Sequence, residues 1–265
     1  MNPGSSYPEG ALAILLGGDS GSGKTSTCMA FDRPWFIDFE GNMAGAIKLY
    51  PGKAWTFSDP TRKRGELNGE VLRHEQVWPS LIDLINLHAP KPEVGLIVVD
   101  GLGNLSTALK AFLVHTVSAA GEKLPKIGNE EQMSLALWNP FADKLKKLVA
   151  KLKSYHKPVI VTCHLRIDEN ELTGVKQQYV QLQGQSMTDF PKNFSCFWQT
   201  ATAPSADPKH AASGGVRYFI RNAPTSRLQL KALPGLPAEF EVGDAAFKKL
   251  VEGLAAKPAG AGGPA

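Results

Sequence analysis

The chain has 265 residues, 43% of them hydrophobic, which is enough for a substantial core and argues against wholesale disorder. Its 29 basic and 25 acidic residues leave a net charge of +4, an excess that permits a nucleic-acid partner without arguing for one. Cys28, Cys163 and Cys196 form no CxxC pair, and no clustered histidines complete a zinc set. The latter two cysteines lie in apolar runs and read as core thiols, as a reducing compartment allows. The start, MNPGSSYPEG, lacks a basic stretch followed by an apolar one, and ALAILL is too short for a signal sequence or a membrane span. A cytoplasmic protein without a membrane partner is expected.

In chain order the first candidate strand, Leu12–Leu16, runs into a Gly/Ser-rich loop and a helix over Lys24–Phe31. A strand over Trp35–Phe39 follows, then a polar loop, Asp59–Glu75, containing Arg62, Lys63 and Arg64. A helix over Gln76–His88 leads to a strand over Leu96–Asp100 and a helix over Leu105–Ser118. A second polar loop, Ala119–Gln132, precedes a helix over Met133–Tyr155. Its Leu145, Leu148, Val149 and Leu152 form an apolar stripe, and its lysines form a solvated face. The strand Pro158–Cys163 gives way to a third polar loop, Leu165–Phe190. From there strand follows strand: Phe194–Thr202, Val216–Arg221 and Arg227–Leu233.

The early strands are apolar on successive residues, the mark of strands buried on both faces in a parallel sheet. Their alternation with helices implies βαβ units and a helix–sheet–helix sandwich, and the last third predicts an antiparallel extension of the same sheet. Residues 11–254 read as one α/β domain, between a flexible N-terminus (1–10) and a Pro/Gly/Ala tail (255–265) expected to be disordered.

Residues 18–25, GDSGSGKT, match G-x-x-x-x-G-K-[ST]. Glycines in such a loop let backbone N–H groups converge on phosphate oxygens, and the following helix points its positive end at the same place. Gly18, Asp19, Ser20, Gly21, Ser22, Gly23, Lys24, Thr25 and Ser26 are the expected cradle. Lys24 reaches the outer phosphates of a nucleotide, and the Thr25 hydroxyl is a hard ligand for Mg²⁺. Asp100 ends an apolar strand, where ligands gather in parallel sheets, and is the second expected metal ligand. In WFIDFEGN, Asp38 falls inside the strand pattern and Glu40 at its exit. Glu40 is placed to orient or deprotonate an attacking water, and equally reads as a solvated strand-end carboxylate. His164, after the strand PVIVTC, faces the same crevice; a lone histidine there is most simply a satisfied polar group.

The order of these pieces resembles the RecA-type recombinase ATPase core over roughly residues 11–235. FIDFEGNMAGAIKLY resembles that family's segment carrying the catalytic glutamate, here Glu40. EVGLIVVDGLGNL resembles its Mg²⁺-site strand. KPVIVTCHLR resembles the strand ending in a γ-phosphate sensor, with His164 where RecA itself has Gln. The resemblance implies a RecA-like P-loop NTPase fold, ATP and Mg²⁺ as cofactors, and single-stranded DNA bound by Ala119–Gln132 and Leu165–Met187. It narrows to short phage-encoded RecA-like ATPases of single-strand annealing and recombination, through QGQSMTDFPKNFSCFWQ and RYFIRNAPTSRLQLKALPGLP.

By the same likeness a cation from a neighbouring subunit, Lys231 or Arg227, completes the site. The protein then self-associates as a ring or short filament, works beside a single-strand-binding protein, and acts in the host cytoplasm if phage-encoded. Cationic grooves with stacking surfaces hold single strands. Lys123 and Lys126 in the first loop, and Arg166, Lys176 and Tyr179 in the second, are the candidate contacts. ENELTGVKQQYVQLQ reads as a hairpin turning at Thr173–Gly174. A hexameric helicase or translocase motor, and a nucleotide-gated regulatory ATPase that binds protein, remain alternatives.

Overall fold

In chain order the elements are β1 (Ala13–Gly17), α1 (Lys24–Met29), β2 (Pro34–Asp38), β3 (Thr56–Ser58), α2 (His74–His88), β4 (Leu96–Asp100), α3 (Leu102–Ala119), β5 (Lys126–Ile127), β6 (Glu130–Glu131), α4 (Trp138–Lys153), β7 (Val159–Cys163), β8 (Leu165–Glu169), β9 (Lys176–Val180), α5 (Ser186–Asp189), β10 (Cys196–Pro204), β11 (Val216–Arg221), β12 (Glu239–Phe240) and α6 (Ala245–Ala255). The computed structural model describes residues 12–255 apart from 42, 44–46, 49, 51, 128–129, 170–173, 175, 184 and 243. The expected flexible start and Pro/Gly/Ala tail lie outside the described residues, except that 255 closes α6.

Among the described residues, eight strands form one sheet in the order β12-β11-β10-β1-β7-β4-β2-β3. The run from β10 to β3 is parallel, and β11 and β12 extend it antiparallel. β1, β2, β4 and β7 are buried at every position. Their alternate side chains feed two cores. Ala13 and Leu15 pack with α2, α3 and α4 on one face, whereas Ile14 and Leu16 pack with α1 and α6 on the other. Each fully buried Leu, Ile or Phe contributes about 1.5–3 kcal/mol, which is why these strands cannot slip register.

Several boundaries have local causes. α2 starts at His74 because the Gln76 side chain reaches back to accept from Arg73 N at 3.1 Å. α3 starts at Leu102, three residues earlier than expected, because Gly101 takes φ 109° and turns the chain straight out of β4. The expected helix 133–155 divides into a 3-10 turn, Leu135–Leu137, and α4, with Pro140 in its first turn. The expected strand Arg227–Leu233 is not one; among the described residues its β-bridging is a single pair, Phe197 with Lys231. The Asn222 side chain holds the last residue of the segment: Oδ1 accepts from Leu233 N at 2.7 Å, and Nδ2 donates to Leu233 O at 3.1 Å. The third polar loop folds into the antiparallel β8–β9 hairpin followed by α5. Thr173 of its expected turn lies outside the described residues, while Gly174 has φ +65°.

Candidate nucleotide-binding and hydrolysis site

The loop between β1 and α1 emerges at the carboxyl end of the parallel strands, tied to β7 by Gly18 N donating to Cys163 O at 3.2 Å. Gly21 and Gly23 have φ 73° and 91°, the left-handed region that glycine enters at no steric cost. Gly18 is required for another reason: a Cβ there would lie 2.2 Å from Thr200 Oγ1 and 2.8 Å from the Thr200 carbonyl. Ser22 Oγ hydrogen-bonds Thr200 Oγ1 and donates to Asp19 O, both at 2.7 Å, so β10 braces the loop from behind. Asp19, Ser20 and Gly21 are exposed at its tip, and Ser26 lies half-buried on α1.

Lys24 is buried, and its ammonium donates to Gly18 O and Asp19 O at 3.0 and 2.9 Å, across the mouth of the loop. Burial lowers its pKa, an effect opposed by the charges of Glu40 and Asp100. Thr25 Oγ1 donates to Asp100 Oδ2 at 2.8 Å, which brings the two expected metal ligands together. Thr162 Oγ1 donates to Asp100 Oδ1 at 2.5 Å and accepts from Gly101 N at 2.9 Å. Asp100 is fully buried; burial pushes its carboxyl upward against those two hydroxyl hydrogen bonds.

Asp38 pairs in register with Asp100 on the adjacent strand. Burial raises its carboxyl to about 6, although Glu40 N and Gly41 N both donate to it. Glu40 lies beyond the strand, with Oε1 3.3 Å from His164 Nε2. A polar cavity of about 640 Å³ opens beside that pair, lined by Asn104, Thr107 and Lys110 of α3 and by Arg166, Gln181 and Gln183.

Of the residues expected at the site, the structure thus brings together Thr25 with Asp100, Lys24 with the loop carbonyls, and Glu40 with His164 and Arg166. Arg166 Nη2 donates to Asp168 at 2.7 Å. Lys176 pairs with Glu169 at 3.3 Å, and Tyr179 stands opposite Arg166 on the hairpin with its hydroxyl on Gln177. Lys123 is exposed after α3, and Lys126 lies in β5, 3.9 Å from Glu131. Lys231 goes elsewhere: its ammonium donates to Phe194 O at 2.7 Å, and Ser195 N donates to Ala13 O, so it lies at the amino ends of β10 and β1, opposite the loop. Arg227 O accepts from Gln178 N at 2.6 Å. Sequence reasoning missed Thr162, Thr200 and Asn104. The signal for Thr162 was a lone hydroxyl inside an otherwise apolar strand.

A phosphate loop after the first strand, a buried aspartate at the end of β4 that accepts from the loop's Thr25, and β7 inserted between those two strands define a P-loop nucleoside triphosphatase fold of RecA-like arrangement. A family model described as an AAA domain (AAA_24) matches residues 11–227, and the chain belongs to that family. Among solved structures it is similar to the KaiC-like protein PH0186 from the hyperthermophilic archaeon Pyrococcus horikoshii OT3, at 10% identity over 86% of this chain and 82% of that one, with a TM-score of 0.43. No curated protein matches it. No helix among the described residues is long and apolar enough to cross a membrane.

Proposed function

We propose that the chain is a Mg²⁺-dependent ATPase whose hydrolysis is coupled to single-stranded DNA, in annealing or recombination of the phage type in the cytoplasm. The observation that carries this reading is the Glu40–His164 contact beside a cavity that also holds Arg166. A group able to orient water and a group able to grip a polyanion thereby share one wall. Thr25 and Asp100 supply hydroxyl and carboxylate oxygens side by side, a donor set that fits Mg²⁺. When bound, the ion neutralises charge on the outer phosphates.

The chain's own residues do the rest. The loop amides and Lys24 hold the phosphates, Glu40 orients the water, and His164 links the site to the hairpin. Lys123 and Lys126 of the Ala119–Gln132 loop and Arg166 and Lys176 of the hairpin take the DNA backbone, with Tyr179 as a stacking surface. Lys231 lies too far round its own chain to act there, so a role for it requires a second copy in a ring or short filament. A single-strand-binding protein is a natural further partner for such an assembly.

The test is ATP hydrolysis with and without single-stranded DNA, with Glu40→Gln as control. Stimulation by DNA and a loss of about 10²–10⁴-fold in the variant are expected. Hydrolysis indifferent to DNA, with no oligonucleotide bound at low salt, would sink the DNA reading and leave an ATPase that acts on protein.

A further inference from the structure

We infer that Asp38 is the positioning residue for Glu40: its carboxylate shapes the turn that aims the Glu40 side chain into the crevice. This rests on the role given to Glu40 above.

β2 ends at Asp38, and the parallel ladder makes one more bond, Phe39 N to Asp100 O at 2.9 Å. Beyond it the chain must leave the sheet in full view of the phosphate loop, where two backbone N–H groups lose their strand partners. Asp38 Oδ1 accepts both, from Glu40 N and from Gly41 N, each at 2.8 Å. This is a side chain folding its own backbone back on itself, with an ionised acceptor that makes such bonds shorter and stronger.

The turn is braced twice more. Asn104 Nδ2 donates to Phe39 O at 3.0 Å, and Gly41 takes φ +70°. Gly101 leaves room for the glutamate stem: a Cβ on it would lie 2.8 Å from Glu40 Cγ. Asp38 is itself only 3% exposed, and among the described residues its Oδ2 accepts no hydrogen bond. A buried carboxylate with one bare oxygen is a costly way to end a strand. Among the described residues, the bonds of its other oxygen go to the two residues that set the direction of Glu40.

The geometry separates two kinds of variant. Asp38→Asn keeps an oxygen that can accept both N–H groups, while Asp38→Ala removes it. Misplacing a reacting group by about 1 Å costs on the order of 100-fold in rate. Asp38→Ala is therefore expected to lower kcat by about 100-fold, with KM for ATP and nucleotide affinity unchanged, and Asp38→Asn to retain kcat within about threefold. Should the alanine variant fail to fold, Asp38→Ser, which can accept one of the two bonds, is expected to fall between them.

A second measurement does not depend on activity. In histidine-labelled protein, the His164 ring signals (assigned with His164→Gln) should move in Glu40→Gln and in Asp38→Ala but stay in place in Asp38→Asn. Full kcat in Asp38→Ala while Glu40→Gln is inactive would overturn the inference, as would an Asp38→Asn as slow as Asp38→Ala with His164 signals unmoved. If Glu40→Gln hydrolyses normally, the role of Glu40 fails, and the His164 signals alone decide whether Asp38 places that side chain.

Discussion

The carboxyl ends of β1, β2, β4 and β7 and the β8–β9 hairpin are neighbours. A Cβ on Gly17 would lie 2.8 Å from Leu165 at the start of the hairpin. They are held by different physics. At the strand ends, Asp100 and Thr162 are fully buried and Asp38 and Lys24 nearly so, and each is fixed by short hydrogen bonds to backbone or hydroxyl. On the hairpin, Arg166 with Asp168 and Lys176 with Glu169 are half-exposed ion pairs, and Ile167 is left 61% exposed. Buried polar groups lose free energy when one partner goes, whereas exposed pairs lose almost none. The first region is therefore built to hold a geometry, and the second is free to change partners.

The sharpest way to break that contrast is Thr162→Val, which keeps the shape and strips the hydroxyl. Asp100 Oδ1 and the Gly101 N–H both lose their partner in the interior, at about 1–3 kcal/mol each. A melting temperature lower by roughly 5–10 °C is expected, measured by thermal unfolding. An unchanged value would mean that the strand ends are no more rigid than the hairpin. Lys24→Ala follows in size. Removing a charged donor of about 1.5–3 kcal/mol should weaken ATP binding by about 10- to 100-fold, measured by fluorescent-nucleotide titration.

The same contrast explains what could be read from sequence. β4 and β11 fall on their expected residues, because strands buried on both faces, or paired at regular register, write their pattern into every position. The loop at 18–25 was legible because its chemistry demands glycines and a lysine at fixed spacing. The strand expected at Arg227–Leu233 makes one bridge among the described residues, and its last residue is held by the side chain of Asn222 instead of by a neighbouring strand. No period in the sequence reveals such a substitution. The role of Thr162 stayed hidden for a related reason: its partners, Asp100 and Gly101, come from a distant stretch of chain that only the sheet order brings alongside. Helix α6 was missed altogether, its apolar residues lost among the small ones that surround them in sequence.

Peripheral electrostatics are not uniformly weak, and Glu241 tests how far the contrast extends. Its carboxylate accepts from His210 at 3.0 Å, Arg217 at 2.9 Å and Lys209 at 3.3 Å, which ties the 208–213 turn and β11 to the chain after β12. Partial burial alone would raise its pKa, yet these three donors outweigh that and hold it at about 2, below its ordinary 4.5. A carboxyl depressed in the folded state stabilises above its ordinary value, and the contribution disappears as pH falls through the folded one. Glu241→Gln should therefore melt lower than the parent at pH 7, by about 1 kcal/mol, the upper end for such pairs. The gap should close as the pH falls from 4.5 toward 2. A gap that persists at pH 2 would assign the effect to packing and not to charge.

The smallest effect on the fold is expected where the largest effect on a partner is proposed. Lys176→Ala cuts one half-exposed ion pair with Glu169, so stability should change by less than about 0.5 kcal/mol. If that lysine contacts a DNA phosphate, affinity for any single-stranded oligonucleotide should fall without regard to its sequence. The slope of log affinity against log salt should also become shallower by about 0.7, one released counterion on a single strand. Arg166→Ala probes the other strand of the hairpin and differs in one respect. Its guanidinium also lines the cavity beside Glu40, so weaker DNA binding should be joined by weaker stimulation of hydrolysis. Equal stimulation at saturating DNA in both variants would show that the hairpin grips the polymer without informing the site. Loss of stimulation in Arg166→Ala alone would place the link between the two regions at the wall they share.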